Sequence, residues 1–219
     1  MRKIRIAVFV SGGGTNLQAL LDAQQAGKLP SGEIALVVAS RSDAYALTRA
    51  ADRGIPSEVV RRKDFDDQAT YEDALTSLMR ENKIDLIVLA GFMSILSKAF
   101  TDRFPQRMIN IHPSLIPSFC GKGFYGIHVH EAALRYGVKV SGATVHFVNE
   151  IPDGGQIIRQ KAVPVLPGDT PERLQKRVME EAEWIILPEA TEEIADAGTD
   201  FSKAAKIKMT DELISLIEK

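Results

Sequence analysis

Short apolar runs alternate with helical segments through the first half of this chain, and that alternation restricts the fold more than any other feature. The runs are continuous, as is typical of strands buried on both faces: IAVFV at 6–10, IALVVAS at 34–40 and LIVL at 86–89. Helical segments separate them, and the first carries leucines at helical spacing. Strands that alternate with helices of this length form βαβ units, so the sequence predicts an α/β fold around a mainly parallel, twisted sheet.

The pattern changes after Gly91. The strands predicted beyond it lie at residues 108–112, 141–148 and 156–165. The last two are joined by NEIPDGG, which predicts a hairpin-like, antiparallel extension of the sheet. We expect one domain over residues 1–190, with a nucleotide-binding-like half at 1–91, a half that carries the chemistry at 92–190, and a C-terminal appendage at 191–219.

Composition excludes several classes of protein. Of the 219 residues, 45% are hydrophobic and 26% are charged, and the net charge is −2, which gives no electrostatic case for nucleic acid or an anionic membrane. A single cysteine rules out an internal disulfide, and no His/Cys/Asp spacing predicts a metal site. The apolar run near the N-terminus is too short for a signal peptide, and no stretch is long enough to span a membrane. The chain is therefore expected to be cytoplasmic.

A glycine-rich turn, SGGGTN at residues 11–16, lies between the first strand and the first helix. Backbone N–H groups and the helix dipole converge on an anion at such a position, so we expect the first half to bind a phosphate-bearing small molecule. The turn matches neither the P-loop nor the GxGxxG pattern. Arg41 follows the second strand where an NAD-binding protein carries an acid, which leaves a non-catalytic NADP-binding module as an alternative.

Three polar residues predict a reactive site. Asn110 and His112 project from the same face of a predicted strand, and Pro113 ends that strand. Asp153 precedes two glycines in the later hairpin loop. If Asp153 meets His112, the pKa of the imidazolium is expected to rise, and Asn110 supplies a second donor. Such a group suits attack of a nucleophile on an acyl carbon, although a buried structural histidine is the simpler interpretation.

Four motifs occur in a characteristic order: SGGGTNLQ, LAGFMSIL at 89–96, INIHPSLIP at 109–117 and GATVHFVNEIPDGG at 142–155. Over about residues 4–190 the chain closely resembles the phosphoribosylglycinamide formyltransferase family of the formyltransferase superfamily. The resemblance implies a Rossmann-like fold and transfer of a formyl group from 10-formyltetrahydrofolate, as co-substrate, to the amine of glycinamide ribonucleotide in purine synthesis. It implies these two small-molecule partners, no metal, and a monomer or homodimer.

The resemblance also implies roles for particular residues. The catalytic trio is Asn110, His112 and Asp153. The ribonucleotide is expected to contact Gly14, Thr15, Asn16 and Glu183. The folate is expected to contact Gln68, Met93, Ser94, Ile95, Leu96, Asn110, Asn149, Glu150, Ile151, Pro152 and Asp153.

The chain departs from the family pattern in three places. Gln68 stands where many members carry an arginine, and the loop at 118–130 is longer than in the shorter members. The segment between Arg177 and Pro188 is one residue longer than in the family pattern, so Glu180 and Glu181 remain alternatives to Glu183.

Other candidates are weaker. Formyltetrahydrofolate deformylase shares the trio and remains an alternative, but it would need a regulatory domain ahead of the first strand. Methionyl-tRNA formyltransferase would need a further, basic C-terminal domain. His146 is interpreted as a packed or surface strand residue, and His130 remains a candidate to approach the substrate.

Overall fold

A computed structural model describes residues 2–198. Seven strands form one sheet in the order β3-β2-β1-β4-β5-β6-β7. They are β1 (Ile4–Val10), β2 (Gly32–Ala39), β3 (Ser57–Val59), β4 (Leu86–Leu89), β5 (Met108–His112), β6 (Val140–Phe147) and β7 (Ile157–Pro164). The first five strands are parallel, whereas β6 and β7 are antiparallel to their neighbours. The predicted α/β fold with an antiparallel extension is confirmed.

Helices cover both faces of the sheet. They are α1 (Thr15–Gln25), α2 (Ala46–Asp52), α3 (Gln68–Glu81), α4 (Lys98–Thr101), α5 (Ile127–Tyr136), α6 (Pro171–Val178) and α7 (Trp184–Asp196). Between α6 and α7 lies a π-helical turn (Met179–Glu183), and a 3₁₀ turn (Arg62–Asp64) precedes α3. Alternate side chains of β1 enter two separate cores, Ile6 and Val8 one, Ala7 and Phe9 the other. This double burial explains why the run is apolar throughout.

The strand order places the functional loops together. From β1 the chain first builds outward to β2 and β3, and then returns to place β4 on the other side of β1. A crevice forms at the carboxyl ends of strands where the order reverses in this way. The glycine turn follows β1, residues 90–97 follow β4, and His112 ends β5, so all three lie along that edge.

Helix α7 alters the expected C-terminal boundary. The appendage predicted from residue 191 begins inside α7, where Thr191 and Ile194 are fully buried against the rest of the fold. The apolar positions after 191 were too few to predict that packing from periodicity. The rest of the predicted appendage, 199–219, lies outside the described residues. Between residues 2 and 198, no helix is both long and apolar enough to cross a membrane.

Candidate active site

The fold brings Asn110, His112 and Asp153 together although 43 positions of sequence separate Asn110 from Asp153. Asn110 and His112 lie at the end of β5, and Asp153 lies in the turn between β6 and β7. The distance from Asn110 Nδ2 to Asp153 Oδ1 is 3.4 Å, and that from His112 Nδ1 to Asp153 Oδ2 is also 3.4 Å. Both distances exceed the usual range of about 2.7–3.2 Å for such bonds, so each donor is only loosely held by the carboxylate.

Asp153 is aimed by two glycine-containing segments. The Gly121 N–H, from the long loop, donates to Asp153 Oδ2 at 2.8 Å. On the other side, a Cβ on Gly155 would lie 1.7 Å from the carbonyl oxygen of Phe147, so only glycine permits this turn to approach β6. Asp153 itself has a left-handed backbone, with a φ of 56°. The Asp-Gly-Gly sequence is therefore needed for the shape that directs the carboxylate.

His112 is buried between two acceptors. Its Nε2 lies 2.9 Å from the carbonyl oxygen of Phe119 and its Nδ1 faces Asp153. Burial lowers the pKa of His112 more than the Asp153 carboxylate and the Phe119 carbonyl raise it. The expected rise in this pKa is therefore wrong, because the long loop and the sheet exclude the water that would solvate an imidazolium.

The carboxylate responds in the opposite way. Burial raises the pKa of Asp153, but its contacts with His146, His112 and the Gly121 N–H together outweigh burial and hold that pKa below its usual range. Asp153 is accordingly ionised at neutral pH. Its negative charge makes His112 easier to protonate than burial alone would allow.

His146 belongs to this cluster, which the sequence interpretation missed. It pairs with Asn110 across β5 and β6, and its Nε2 lies 3.1 Å from Asn110 Nδ2 and 3.5 Å from Asp153 Oδ1. Its Nδ1 lies 2.8 Å from the carbonyl oxygen of Phe147. When Nδ1–H donates to that carbonyl, Nε2 accepts from Asn110 and fixes the direction of the amide. No sequence signal marked His146, because its place depends on the pairing of β6 with β5.

His130 is the second buried imidazole near His112. It is 1% exposed, and neither ring nitrogen has a hydrogen-bond partner within the described chain. Burial, together with the charge of His112, lowers the pKa of His130 to about 4. It therefore stays neutral and adds no charge to the site.

The glycine turn presents unpaired donors. No side chain caps the N-terminus of α1, and none of the N–H groups of Gly13, Gly14 and Thr15 has a partner among residues 2–198. Gly14 has a φ of 69°, and a Cβ there would lie 2.6 Å from Ala46 Cβ. Such a cluster of backbone donors at a helix start is suited to an anion.

Of the three candidate glutamates, the π-helical turn buries one. It absorbs the one extra residue between Arg177 and Pro188 by widening a single turn. Glu183 is then 5% exposed, and its Oε2 accepts from Asn16 Nδ2 at 2.8 Å, whereas Glu180 and Glu181 are exposed. Burial raises the pKa of Glu183 to about 7, opposed by the bond from Asn16.

A cleft of about 150 Å³ adjoins the trio. Nearly all the candidate folate residues line it: Ser94, Ile95, Leu96, Asn110, Asn149, Glu150, Ile151, Pro152 and Asp153. Met93 is absent from this lining and is 55% exposed beside a second, larger cleft of about 690 Å³. The two clefts share Ser94, so an extended ligand in the first could continue into the second.

Gln68 does not line either cleft. Its Nε2 donates to Glu72 Oε1 at 2.6 Å and to the Ile95 carbonyl at 3.1 Å, and its Oε1 accepts from Arg62 Nε at 2.9 Å. These contacts indicate that Gln68 supports the loop after β4, and its direct contact with folate stays a prediction. Arg62 lines the larger cleft and supplies a positive charge there, which the uncharged Gln68 does not.

A cluster of titratable side chains, a glycine turn with unpaired N–H donors and a narrow cleft thus meet at one edge of a mostly parallel sheet. Within residues 2–198, no group of three or more His, Cys, Asp or Glu side chains is arranged to hold a metal ion. Neutral His112 and ionised Asp153 can take up a proton, while Asn110 and a protonated His112 can donate to an oxyanion. The arrangement defines an α/β enzyme site suited to transfer of an acyl-type group.

Known proteins share this sequence and fold. Residues 4–191 match the family model described as formyl transferase. The chain is 42% identical over 184 residues to the phosphoribosylglycinamide formyltransferase of Haemophilus influenzae, covering 84% of each protein. It is 41% identical over 206 residues, 94% of its length, to the human trifunctional purine biosynthetic protein adenosine-3, of which it covers 20%.

Solved structures agree. The crystal structure of glycinamide ribonucleotide transformylase 1 from Symbiobacterium toebii has a TM-score of 0.83 and 42% identity, with 89% of both chains covered. The phosphoribosylglycinamide formyltransferase of Coxiella burnetii, solved with CHES, has a TM-score of 0.82 and 40% identity over 90% of this chain and 89% of that one. The chain belongs to the formyl transferase family, within the group of phosphoribosylglycinamide formyltransferases.

Proposed function

We propose that this enzyme transfers the formyl group of 10-formyltetrahydrofolate to the amine of glycinamide ribonucleotide. The observation that carries the proposal is the buried contact of Asn110, His112 and Asp153 beside the narrow cleft. The names of the relatives support this reaction. The folate occupies the cleft, and the phosphate of the ribonucleotide binds the N–H groups of the glycine turn.

The protonation states suggest an order of events. The amine attacks the formyl carbon, and the carbonyl oxygen becomes an oxyanion that Asn110 stabilises, joined by His112 once it is protonated. His112 starts neutral because burial lowers its pKa, so it can receive the proton that the attacking amine releases. Asp153 then stabilises the imidazolium. When the bond from carbon to N10 breaks, the proton passes to N10 and tetrahydrofolate leaves.

Glu183 and Asn16 close the other end of the ribonucleotide site. Their hydrogen bond leaves the second carboxyl oxygen of Glu183 available to a ribose hydroxyl. The NADP alternative has little support, because Arg41 is held by two bonds to Asp43, at 2.9 and 2.6 Å. Its charge therefore already has a partner at the surface.

Loss of 10-formyltetrahydrofolate, measured with and without glycinamide ribonucleotide, tests the proposal. Consumption should require the acceptor, since consumption with water alone would identify a deformylase. His112→Ala removes one oxyanion donor and should lower turnover about 10²- to 10³-fold. His128→Ala is the matched control, because the side chain of His128 is exposed and, within residues 2–198, hydrogen-bonds to no side chain but that of Glu131. Near wild-type turnover in His112→Ala would contradict the mechanism.

A further inference from the structure

Helix α2 donates hydrogen bonds to the backbone carbonyls of the glycine turn. The Gly12 carbonyl accepts from the Ala46 N–H at 3.2 Å, and the Gly13 carbonyl accepts from Arg49 Nε at 2.8 Å. Both donors belong to the first two turns of α2. Two successive carbonyls of the turn therefore point toward the same helix.

This contact determines where the neighbouring N–H groups point. In a planar trans peptide, the carbonyl of one residue and the N–H of the next point in opposite directions. Since the Gly12 and Gly13 carbonyls face α2, the N–H groups of Gly13 and Gly14 face away from it. These are two of the donors that lack a partner in the described chain. Helix α2 thus aligns them as a pair.

Arg49 is itself fixed by three contacts. Besides the Gly13 carbonyl, its NH1 donates to Gln18 Oε1 on α1 at 2.8 Å, and its guanidinium lies 5.0 Å from the centre of the Tyr45 ring. Among residues 2–198, no carboxylate forms an ion pair with Arg49. Its positive charge therefore has no carboxylate partner in the described chain, and it lies next to the turn on the side that faces α2.

We propose that Arg49 is a positioning residue for the ribonucleotide phosphate. It does not touch the phosphate. It acts through Gly13, by holding the carbonyl that orients the Gly14 N–H and by adding positive charge behind the donors. The inference rests on the proposed function, in which the glycine turn binds that phosphate.

The test compares Arg49→Met with Arg53→Met. Arg53 lies at the end of the same helix and bonds to Asp22 and Gln25 of α1, but it does not contact the glycine turn. Arg49→Met removes a hydrogen bond from a charged group to the Gly13 carbonyl, and such bonds are stronger than neutral ones. We therefore expect the dissociation constant of glycinamide ribonucleotide to rise about tenfold. The constant for a folate analogue and the turnover at saturating substrates should be unchanged. Arg53→Met should change neither constant.

Two further measurements separate positioning from general damage. Arg49→Lys keeps the charge but has a single nitrogen that donates, so it cannot bridge the turn and Gln18 and should recover only part of the loss. Inorganic phosphate, titrated by calorimetry, should bind more weakly to Arg49→Met by a similar factor. Unchanged binding of ribonucleotide and phosphate by Arg49→Met would overturn the inference. An equal rise in the dissociation constants of the ribonucleotide and the folate analogue would overturn it too.

The proposed function can fail independently. If the wild-type protein does not formylate the ribonucleotide, that function is wrong, and the phosphate titration still decides whether Arg49 orients the turn. If the wild-type protein is active and Arg49→Met binds phosphate normally, only the inference about Arg49 is wrong.

Discussion

Replacement of Glu183 by glutamine should remove a pH dependence of stability that burial creates. The pKa of Glu183 rises from its ordinary 4.5 to about 7 in the folded protein. Each pKa unit corresponds to about 1.4 kcal/mol, so ionised Glu183 costs the folded state about 3 kcal/mol. Below pH 4.5 the carboxyl is protonated in both states and contributes nothing. Between pH 4.5 and about 7 the unfolded chain releases its proton first, so the free energy of unfolding falls as pH rises.

Urea unfolding at pH 5, 6, 7 and 8.5 measures this effect. The amide introduced by Glu183→Gln keeps the acceptor for Asn16 and carries no charge at any pH, so the difference in unfolding free energy between variant and wild type should grow with pH. It should approach about 3 kcal/mol above pH 7. Glu181→Gln, on the same turn but exposed, should show no such trend. Parallel curves for wild type and Glu183→Gln would refute the reasoning, because they would mean that the ionised carboxylate is well solvated in the folded protein.

Three other substitutions test the remaining parts of the site. Asp153→Asn removes the negative charge that opposes burial at His112, so the pKa of His112 should fall further. The pH–rate profile from pH 5 to 9 should show the largest loss of activity at neutral and higher pH. An unchanged profile would argue against the pairing of Asp153 with His112. Gly14→Ala places a Cβ 2.6 Å from Ala46 Cβ on left-handed backbone, and strain of about 1–3 kcal/mol should raise KM for the ribonucleotide far more than KM for the folate. Equal rises in both constants would instead indicate a damaged fold. Arg62 lines the larger cleft, into which the carboxylate-bearing tail of an extended folate would continue. Arg62→Met should raise KM for a folate with several tail glutamates by less than about tenfold, at low salt only and without a change in kcat, because a partly exposed charge contributes about 0–1 kcal/mol. An effect that persists at high salt would contradict the electrostatic account.

The sequence allowed the fold and the trio to be predicted because both depend on local patterns. Continuous apolar runs indicated strands buried on two faces, and the structure places them in the parallel part of the sheet. The spacing of Asn110 and His112 depends only on strand geometry. Asp153 could be proposed because a carboxylate before two glycines is suited to a tight, directed turn.

The remaining features depend on contacts distant in sequence. His146 joins the site through the register of β5 against β6, and strand patterns do not fix that register. Burial of His112 depends on how the long loop folds over it, so the direction of its pKa shift could not be predicted. The helix carrying Glu183 could be predicted, but the π-helical turn that directs it inward could not. Arg62 reaches Gln68 only because a 3₁₀ turn brings them together.

The bond between Asn16 and Glu183 joins residues that are 167 positions apart. The first βαβ unit can form the glycine turn early and locally, but the pocket is complete only after the last helices have docked. A ligand that contacts both sides would favour the fully folded state over every partly folded one. Ribonucleotide binding should consequently slow amide hydrogen exchange in α1 and α7 together, as one cooperative unit, and not only in the turn that it touches.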